Sequence, residues 1–115
     1  MIDAGGCRPE ALRDLETLES LFARIIRELN LTPASAAAWH VFPEPGGITG
    51  MVLLTESHLV CHTYPEHEVA TFNLYCCSER PEWPWAERLA EAIGAREVCV
   101  RASARVAPVG EAAAR

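Results

Sequence analysis

The feature that most constrains the fold is a pair of strand-length segments that follow each other in the middle of the chain. Residues 48–56, ITGMVLLTE, are largely apolar, as expected of a buried strand. Residues 57–64, SHLVCHTY, continue as a second extended segment with alternating faces. In strand geometry His58 and His62 share one face, and Cys61 points to the other. This pattern predicts two strands that carry reactive side chains on a sheet.

The flanking segments extend this pair to an α+β domain. Apolar residues recur at helical spacing over residues 9–29, and residues 83–94 form a second amphipathic helix that ends at a glycine. Further strands are predicted over residues 1–4, 35–42, 68–77 and 96–103. The expected architecture is a two-layer α/β sandwich, with the helices on one face of a largely antiparallel sheet.

The length of the chain limits it to one core. A chain of 115 residues is too short to bury two separate cores, so residues 1–104 are expected to form a single domain. Residues 105–115 form an alanine-rich tail, and the sequence does not predict whether this tail is ordered.

Charge and hydropathy narrow the choice of partner and compartment. The formal net charge of −6 at pH 7 argues against nucleic acid and against an anionic membrane, because both require a basic surface. A small cationic ligand suits this charge better. No apolar run approaches the roughly 18 residues that span a bilayer. The amino terminus, MIDAGGCRPE, has neither a basic start nor a long apolar stretch, so a cytoplasmic location is expected.

The cysteine and lysine contents limit the chemistry. The five cysteines form an odd set without C-x-x-C spacing, which argues against a disulfide framework and favours reduced thiols. The basic residues are all arginines, so the chain has no lysine with which to form a Schiff base.

Residues 53–67 hold three histidines, one cysteine, one serine and two glutamates, and three chemistries compete for them. A metal site would need Cys61 beside His58 and His62, but strand alternation separates them, so no metal is expected. A serine hydrolase would need a turn such as G-x-S-x-G, whereas Ser57 lies in T-E-S-H. The third chemistry is self-cleavage, in which a serine hydroxyl attacks the carbonyl before it and the resulting ester eliminates to leave a pyruvoyl group. Such a group gives a lysine-free chain its own reactive carbonyl.

Several short motifs of this chain resemble the bacterial S-adenosylmethionine decarboxylase proenzymes. In chain order they are IDAGGC at 2–7, GGITG at 46–50, ESH at 56–58, HTYPE at 62–66 and YCC at 75–77. The resemblance covers residues 2–100, and E-S-H followed at this spacing by H-T-x-P-E is highly specific. It implies a pyruvoyl-dependent enzyme whose proenzyme cuts itself, and a homodimer of cleaved protomers as the default assembly.

The resemblance implies a role for each matching residue. Glu56 and Ser57 would flank the scissile bond, so that Ser57 becomes the pyruvoyl cofactor at the start of the second chain. His62 would transfer protons during this processing, and Thr49 stands where the family commonly has an assisting serine. Cys77 would protonate the substrate carbon after carbon dioxide leaves. The remaining cysteines are expected to be small core residues: Cys7, Cys61, Cys76 and Cys99.

The resemblance also implies a substrate. Phe42 and Tyr64 would stack on the adenine of S-adenosylmethionine, and Glu66 would bind the ribose. The product would be the aminopropyl donor for spermidine, a step of polyamine biosynthesis. Asn73 stands where the family usually has aspartate, so a pyruvoyl-dependent ornithine or arginine decarboxylase on the same fold is the alternative. A further alternative is an unprocessed homologue that acts as a binding or regulatory subunit.

Overall fold

The strands predicted from the sequence form one antiparallel sheet. The computed structural model describes residues 1–76 and 82–104. In chain order, the elements are β1 (Ile2–Gly5), α1 (Pro9–Leu12), α2 (Leu15–Glu28), β2 (Ala38–Val41), β3 (Ile48–Leu53), β4 (His58–Tyr64), a 3₁₀ helix (Pro65–His67), β5 (Val69–Tyr75), α3 (Trp85–Ile93) and β6 (Glu97–Val100). Within the described residues the sheet order is β2-β3-β4-β5-β1-β6, and each neighbouring pair is antiparallel.

The helices pack on one face of this sheet. Apolar residues of both layers are buried together and form the core, among them Leu18, Phe22, Ile25, Leu59 and Phe72. On the other face, the open face, Met51 and Leu53 are 50% and 56% exposed. The predicted two-layer α+β architecture is therefore confirmed, because only one sheet face carries the buried apolar set.

Strands β3 and β4 form the hairpin that the two central segments predict. At one end of the hairpin, Thr49 lies opposite His62. At the other end, Leu53 lies opposite His58. The predicted alternation along β4 is confirmed, since every second residue from Leu59 to Thr63 is buried. The two histidines of this strand consequently lie on the open face.

The connection between these strands differs from the prediction that Ser57 continues an extended segment. That prediction is wrong, because β3 ends at Leu53 and β4 starts only at His58. The Leu54 N–H donates a hydrogen bond to the Ser57 carbonyl at 3.0 Å, which closes a tight turn. Residues 54–57, the lower turn, therefore present the Glu56–Ser57 peptide bond outside the strand ladder.

The predicted helix over residues 9–29 is divided into α1 and α2. Asp14 has extended backbone angles (φ −98°, ψ 105°) and starts the second helix, a position that aspartate favours. Its carboxylate accepts a hydrogen bond from the Thr17 hydroxyl. The Arg13 Nε donates to the Pro45 carbonyl at 3.0 Å. The break thus places an arginine against the turn between β2 and β3.

Several element ends also differ from the sequence prediction. Strand β2 begins at Ala38 rather than at 35, and β5 spans Val69–Tyr75 rather than 68–77. Glu68 adopts the left-handed region (φ 57°), which belongs to the preceding turn and cannot continue a strand. Gly94 ends α3 as predicted, in the left-handed conformation (φ 72°) that glycine adopts without strain.

Four cysteines lie in the described part of the chain, and these four are all free thiols. Cys7 and Cys61 are buried as predicted, and burial raises the pKa of both thiols, that of Cys61 to about 12. Cys76 is partly buried against the core. The prediction for Cys99 is wrong, because this residue is exposed on the open face of the edge strand β6. Cys77 lies outside the described residues.

Candidate active site

A pocket at one end of the β3–β4 hairpin collects five of the predicted site residues. The end of the sheet at which β3 begins and β4 ends is the upper end. A cavity of about 470 Å³, the upper pocket, opens there, and its volume lies in the range of small-molecule sites. It is lined by Thr63, by residues 43–45 and 47, and by Phe42, Thr49, His62, Tyr64 and Glu66.

A hydroxyl and an imidazole meet in the wall of the upper pocket. The Thr49 Oγ1 lies 3.0 Å from His62 Nδ1, within hydrogen-bonding distance, and either atom can be the donor depending on the histidine tautomer. The contact follows from the strand register, which sets the two residues directly opposite each other on the open face. A partly buried hydroxyl–imidazole pair of this kind can pass a proton to or from a bound group.

Aromatic rings and carboxylates form the rest of the pocket. Phe42 is 48% exposed and Tyr64 is 41% exposed, so both present ring surface to a ligand. The Phe42 ring is packed edge-on against His40, with ring centroids 4.4 Å apart. Glu66 and Glu44 supply two exposed carboxylates. A flat ligand with positive charge suits this lining, because the rings offer stacking faces and the carboxylates offer charge.

The other five lining residues are not among the predicted site residues, although one of them, Gly47, lies in the GGITG motif. Glu44 lies in the turn between β2 and β3, and Gly47 lies where β3 approaches the end of β4. A Cβ atom at Gly47 would lie 2.6 Å from the Thr63 carbonyl oxygen, so only glycine permits this approach. The run PEPGG predicts a turn at this point, but it carries no signal that the turn closes on the 3₁₀ helix after β4.

The residues of the proposed cut lie at the opposite, lower end of the same hairpin. Ser57 is half-buried in the lower turn, and Glu56 beside it is exposed. His62 lies five residues further along the chain, a separation of about 16 Å at the rise of an extended strand. One chain therefore does not bring the Ser57 hydroxyl to the Thr49–His62 pair. Cys77, the remaining predicted residue, follows β5 by two positions and lies outside the described residues.

The lower turn suits a residue that is converted to a pyruvoyl group. Five register pairs join β3, which precedes the Glu56–Ser57 bond, to β4, which follows it. A cut at this bond would therefore leave the two products paired in the same sheet. A second cavity of about 670 Å³, the lower cavity, opens at this end of the sheet and is lined in part by His58, Asn73 and Tyr75.

Within residues 1–76 and 82–104, no group of three His, Cys, Asp or Glu side chains is arranged to hold a metal ion. None of the helices in that part of the chain combines the length and the apolar character needed to cross a membrane.

The fold and the upper pocket together define a small two-layer α+β protein with a site of enzymatic type. A sequence model of the family described as S-adenosylmethionine decarboxylase matches residues 1–106. A solved structure of the adenosylmethionine decarboxylase from Aquifex aeolicus superposes with a TM-score of 0.67 and 25% identity, covering 85% of this chain and 80% of that one. The chain belongs to the S-adenosylmethionine decarboxylase family.

Relatives of this chain carry two different names. An S-adenosylmethionine decarboxylase proenzyme from Thermodesulfovibrio yellowstonii is 37% identical over 84 residues, which cover 71% of this chain and 61% of that protein. An arginine decarboxylase proenzyme from Aeropyrum pernix is 36% identical over 80 residues, which cover 70% of this chain and 60% of that protein. The chain thus spans about three fifths of the length of these two relatives. Both relatives are named as decarboxylases, and their names differ in the substrate.

Proposed function

We propose that this chain is a proenzyme that cuts itself between Glu56 and Ser57 and then decarboxylates S-adenosylmethionine. The observation that carries the proposal is the upper pocket, which sets the Thr49–His62 pair beside two exposed rings and two carboxylates. The decarboxylated product would serve as the aminopropyl donor for spermidine. Residues 1–104 would act as a single domain before and after the cut.

Self-cleavage would begin at the lower turn. The Ser57 hydroxyl attacks the Glu56 carbonyl carbon, and the amide is exchanged for an ester as the Ser57 nitrogen leaves with a proton. Removal of the proton from the Cα atom of residue 57 then breaks the Cβ–O bond and releases the Glu56 carboxylate, which leaves dehydroalanine. Dehydroalanine tautomerises to an imine, and water hydrolyses this imine to the pyruvoyl group and ammonia. The Thr49–His62 pair fits the proton transfers of these steps, because an imidazole both accepts and donates protons near neutral pH.

Decarboxylation would divide its tasks among the residues of the chain. The pyruvoyl group at residue 57 would supply an electrophilic carbonyl for the α-amine of the substrate and an electron sink for the loss of carbon dioxide. Phe42 and Tyr64 hold the adenine between aromatic faces, and Glu66 accepts hydrogen bonds from the ribose. Cys77 returns a proton to the α-carbon.

A second copy of the chain would complete the site. Within one protomer the upper pocket and Ser57 lie at opposite ends of β4, about 16 Å apart. A twofold axis reverses the direction of β4 between copies, so the upper pocket of one protomer can lie over the lower turn of its partner. Met51 and Leu53 supply apolar area on the open face for such a contact.

Complementation between two inactive variants tests this arrangement. When each is made alone, we expect Ser57→Ala not to be cut and His62→Ala to be cut about a hundredfold more slowly than wild type. In a mixed dimer, the intact Ser57 of the His62→Ala chain meets the intact His62 of the Ser57→Ala chain, and mass spectrometry should show that only the His62→Ala chain is cut. If mixing restores no cleavage while size measurements show that mixed dimers form, the two residues do not act across protomers.

The substrate is tested by measuring carbon dioxide release side by side from S-adenosylmethionine, arginine and ornithine. We expect turnover of S-adenosylmethionine. The second candidate is an arginine decarboxylase, which is favoured by relatives with that name, among them one from Ignicoccus hospitalis that is 32% identical over 90% of this chain. Turnover of arginine or ornithine alone would overturn the first choice. A chain that stays uncut at 12.6 kDa would instead indicate a binding or regulatory homologue.

A further inference from the structure

The second residue after the proposed cut, His58, has a specific aromatic partner. His58 and Tyr75 are opposite each other in the register of β4 and β5, at the lower end of the sheet. Their rings are stacked, with centroids 5.4 Å apart and planes inclined by 20°. His58 belongs to the E-S-H motif, yet neither the cleavage step nor the decarboxylation step assigns a task to its side chain.

The cut changes what holds residue 57 in place. Before cleavage, this residue is tethered on one side through Glu56 and on the other through His58. After cleavage the tether through Glu56 is gone, whereas the Leu54 N–H, whose nitrogen lies 3.0 Å from the carbonyl oxygen of residue 57 in the uncut chain, can still donate to it. The strand ladder holds the chain only from His58 onward. The position of the new terminus therefore depends on how firmly His58 is held.

We propose that the His58–Tyr75 ring stack is a clamp that fixes residue 57 once the peptide bond before it has been cut. His58 is then a positioning residue, which acts through the backbone of its neighbour. The end of a β-ladder frays more readily than its middle, and a stacked cross-strand pair resists this fraying. This inference rests on the proposed function, because a fixed terminus is needed only where residue 57 reacts.

The clamp predicts an effect on turnover rather than on ligand affinity. His58 is not among the residues that line the upper pocket, where the adenosyl portion would bind, and its ring packs on Tyr75 of its own sheet. A loose terminus would leave ligand binding unchanged but would misplace the reacting carbonyl, and a displacement of about 1 Å can cost a hundredfold in rate. Loss of the stack should therefore lower kcat and leave KM unchanged.

Ring-removing and ring-keeping substitutions separate a clamp from a chemical role. In processed protein, His58→Ala and Tyr75→Ala should each lower kcat by about ten- to a hundredfold with KM unchanged. His58→Phe and Tyr75→Phe keep a ring and should recover most of this loss. The double alanine variant should be no slower than the slower single one, because both remove the same contact. Thr55→Ala, in the same turn but on the other side of the cut, is the matched control.

Amide exchange tests the clamp independently of any activity. The ring stack is already present in the uncut chain. In the uncut Ser57→Ala background, the Leu54 amide therefore reports whether the stack helps to keep the lower turn closed, since this amide donates to the carbonyl of residue 57. Its hydrogen exchange should be about three- to tenfold faster in the two ring-removing variants, the size expected for one aromatic pair, and unchanged in His58→Phe. Unchanged exchange in both alanine variants overturns the clamp. A His58→Phe protein as slow in turnover as His58→Ala also overturns it, because the imidazole itself would then be needed.

Turnover and amide exchange together distinguish a failure of the proposed function from a failure of the clamp. If wild-type protein neither cuts itself nor releases carbon dioxide, the proposed function fails, while the exchange of the Leu54 amide still decides whether the ring stack holds the turn. If wild-type protein is active and the exchange does not respond to the loss of either ring, only the clamp fails.

Discussion

The two ends of β4 belong to the same hairpin but are built in different ways. At the upper end, residues distant in sequence surround one cavity, and a contact of 3.0 Å joins Thr49 to His62. At the lower end, the proposed cut lies in a turn that is closed by a hydrogen bond between residues 54 and 57. A single extended strand can thus carry the groups of both halves of a reaction, but its stiffness keeps those groups apart. This separation is the reason why the proposed function assigns the two ends of one site to two copies of the chain.

The largest expected effect is at the lower end. Ser57→Ala removes the hydroxyl that would attack the Glu56 carbonyl, so no cleavage should occur even on long incubation. Mass spectrometry of the purified protein measures this directly, and Ser35→Ala, in an exposed loop, is the matched control. Normal cutting of the Ser57→Ala chain would place the nucleophile elsewhere.

The second-largest expected effect tests whether the Thr49–His62 pair at the upper end takes part in self-cleavage at the lower turn. His62→Ala should slow self-cleavage by about a hundredfold or more, because it removes the group that transfers protons. Thr49→Val should act in the same direction, and Thr49→Ser should keep most of the rate. Thr71→Val alters the residue on the other side of His62 in the sheet and should change the rate far less. The rate is read from the fraction of cut chain over time, and equal rates for Thr49→Val and Thr71→Val would contradict a role for Thr49.

A third variant separates cleavage from decarboxylation. Cys77→Ala should leave cleavage largely intact and slow the release of carbon dioxide by about a hundredfold, because a general acid is lost. Cys76→Ala is the control and should be mild, since this thiol is partly buried against the core. The assignment would be reversed if Cys76→Ala proved to be the slow variant.

The smallest expected effect concerns binding at the upper pocket. Tyr64→Ala and Glu66→Gln should each raise the KM for S-adenosylmethionine by about tenfold, the loss of one stacking or charged contact, with little change in cleavage. Glu68→Gln, just outside the pocket, serves as the control. An unchanged KM for both variants would show that the adenosyl portion is bound elsewhere.

Much of the fold could be predicted from the sequence because its patterns are local. The alternation of 57–64 predicts which face of β4 is buried, and the helical spacing of 9–29 predicts the stripe of α2 that packs on the sheet. The sequence does not predict the break at Asp14, because the apolar period continues through this residue although its backbone is extended rather than helical. Cys99 was misplaced, because a small apolar residue in a strand gives no indication of whether its face is covered.

The site shows the same division between local and distant information. The E-S-H and H-T-x-P-E motifs point to Ser57, His62 and Glu66, but motif spacing along a chain does not state a distance in space. The structure separates Ser57 from His62 by most of a strand, and it adds Glu44 and Gly47 to the pocket. The place of Glu44 and Gly47 in the pocket could not be predicted from the sequence, because it depends on where the turn between β2 and β3 folds.

The sequence by itself determined the chemistry that is possible: an E-S-H serine, a lysine-free composition, and strand-forming segments that alternate around two histidines. Only the tertiary structure decided which of these groups are neighbours. Sheet register pairs Thr49 with His62 across strands, and the turn after Leu54 sends Glu56 and Ser57 to the opposite end. The physical reason is that side-chain type and periodicity are local properties, whereas proximity depends on strand pairing between distant residues.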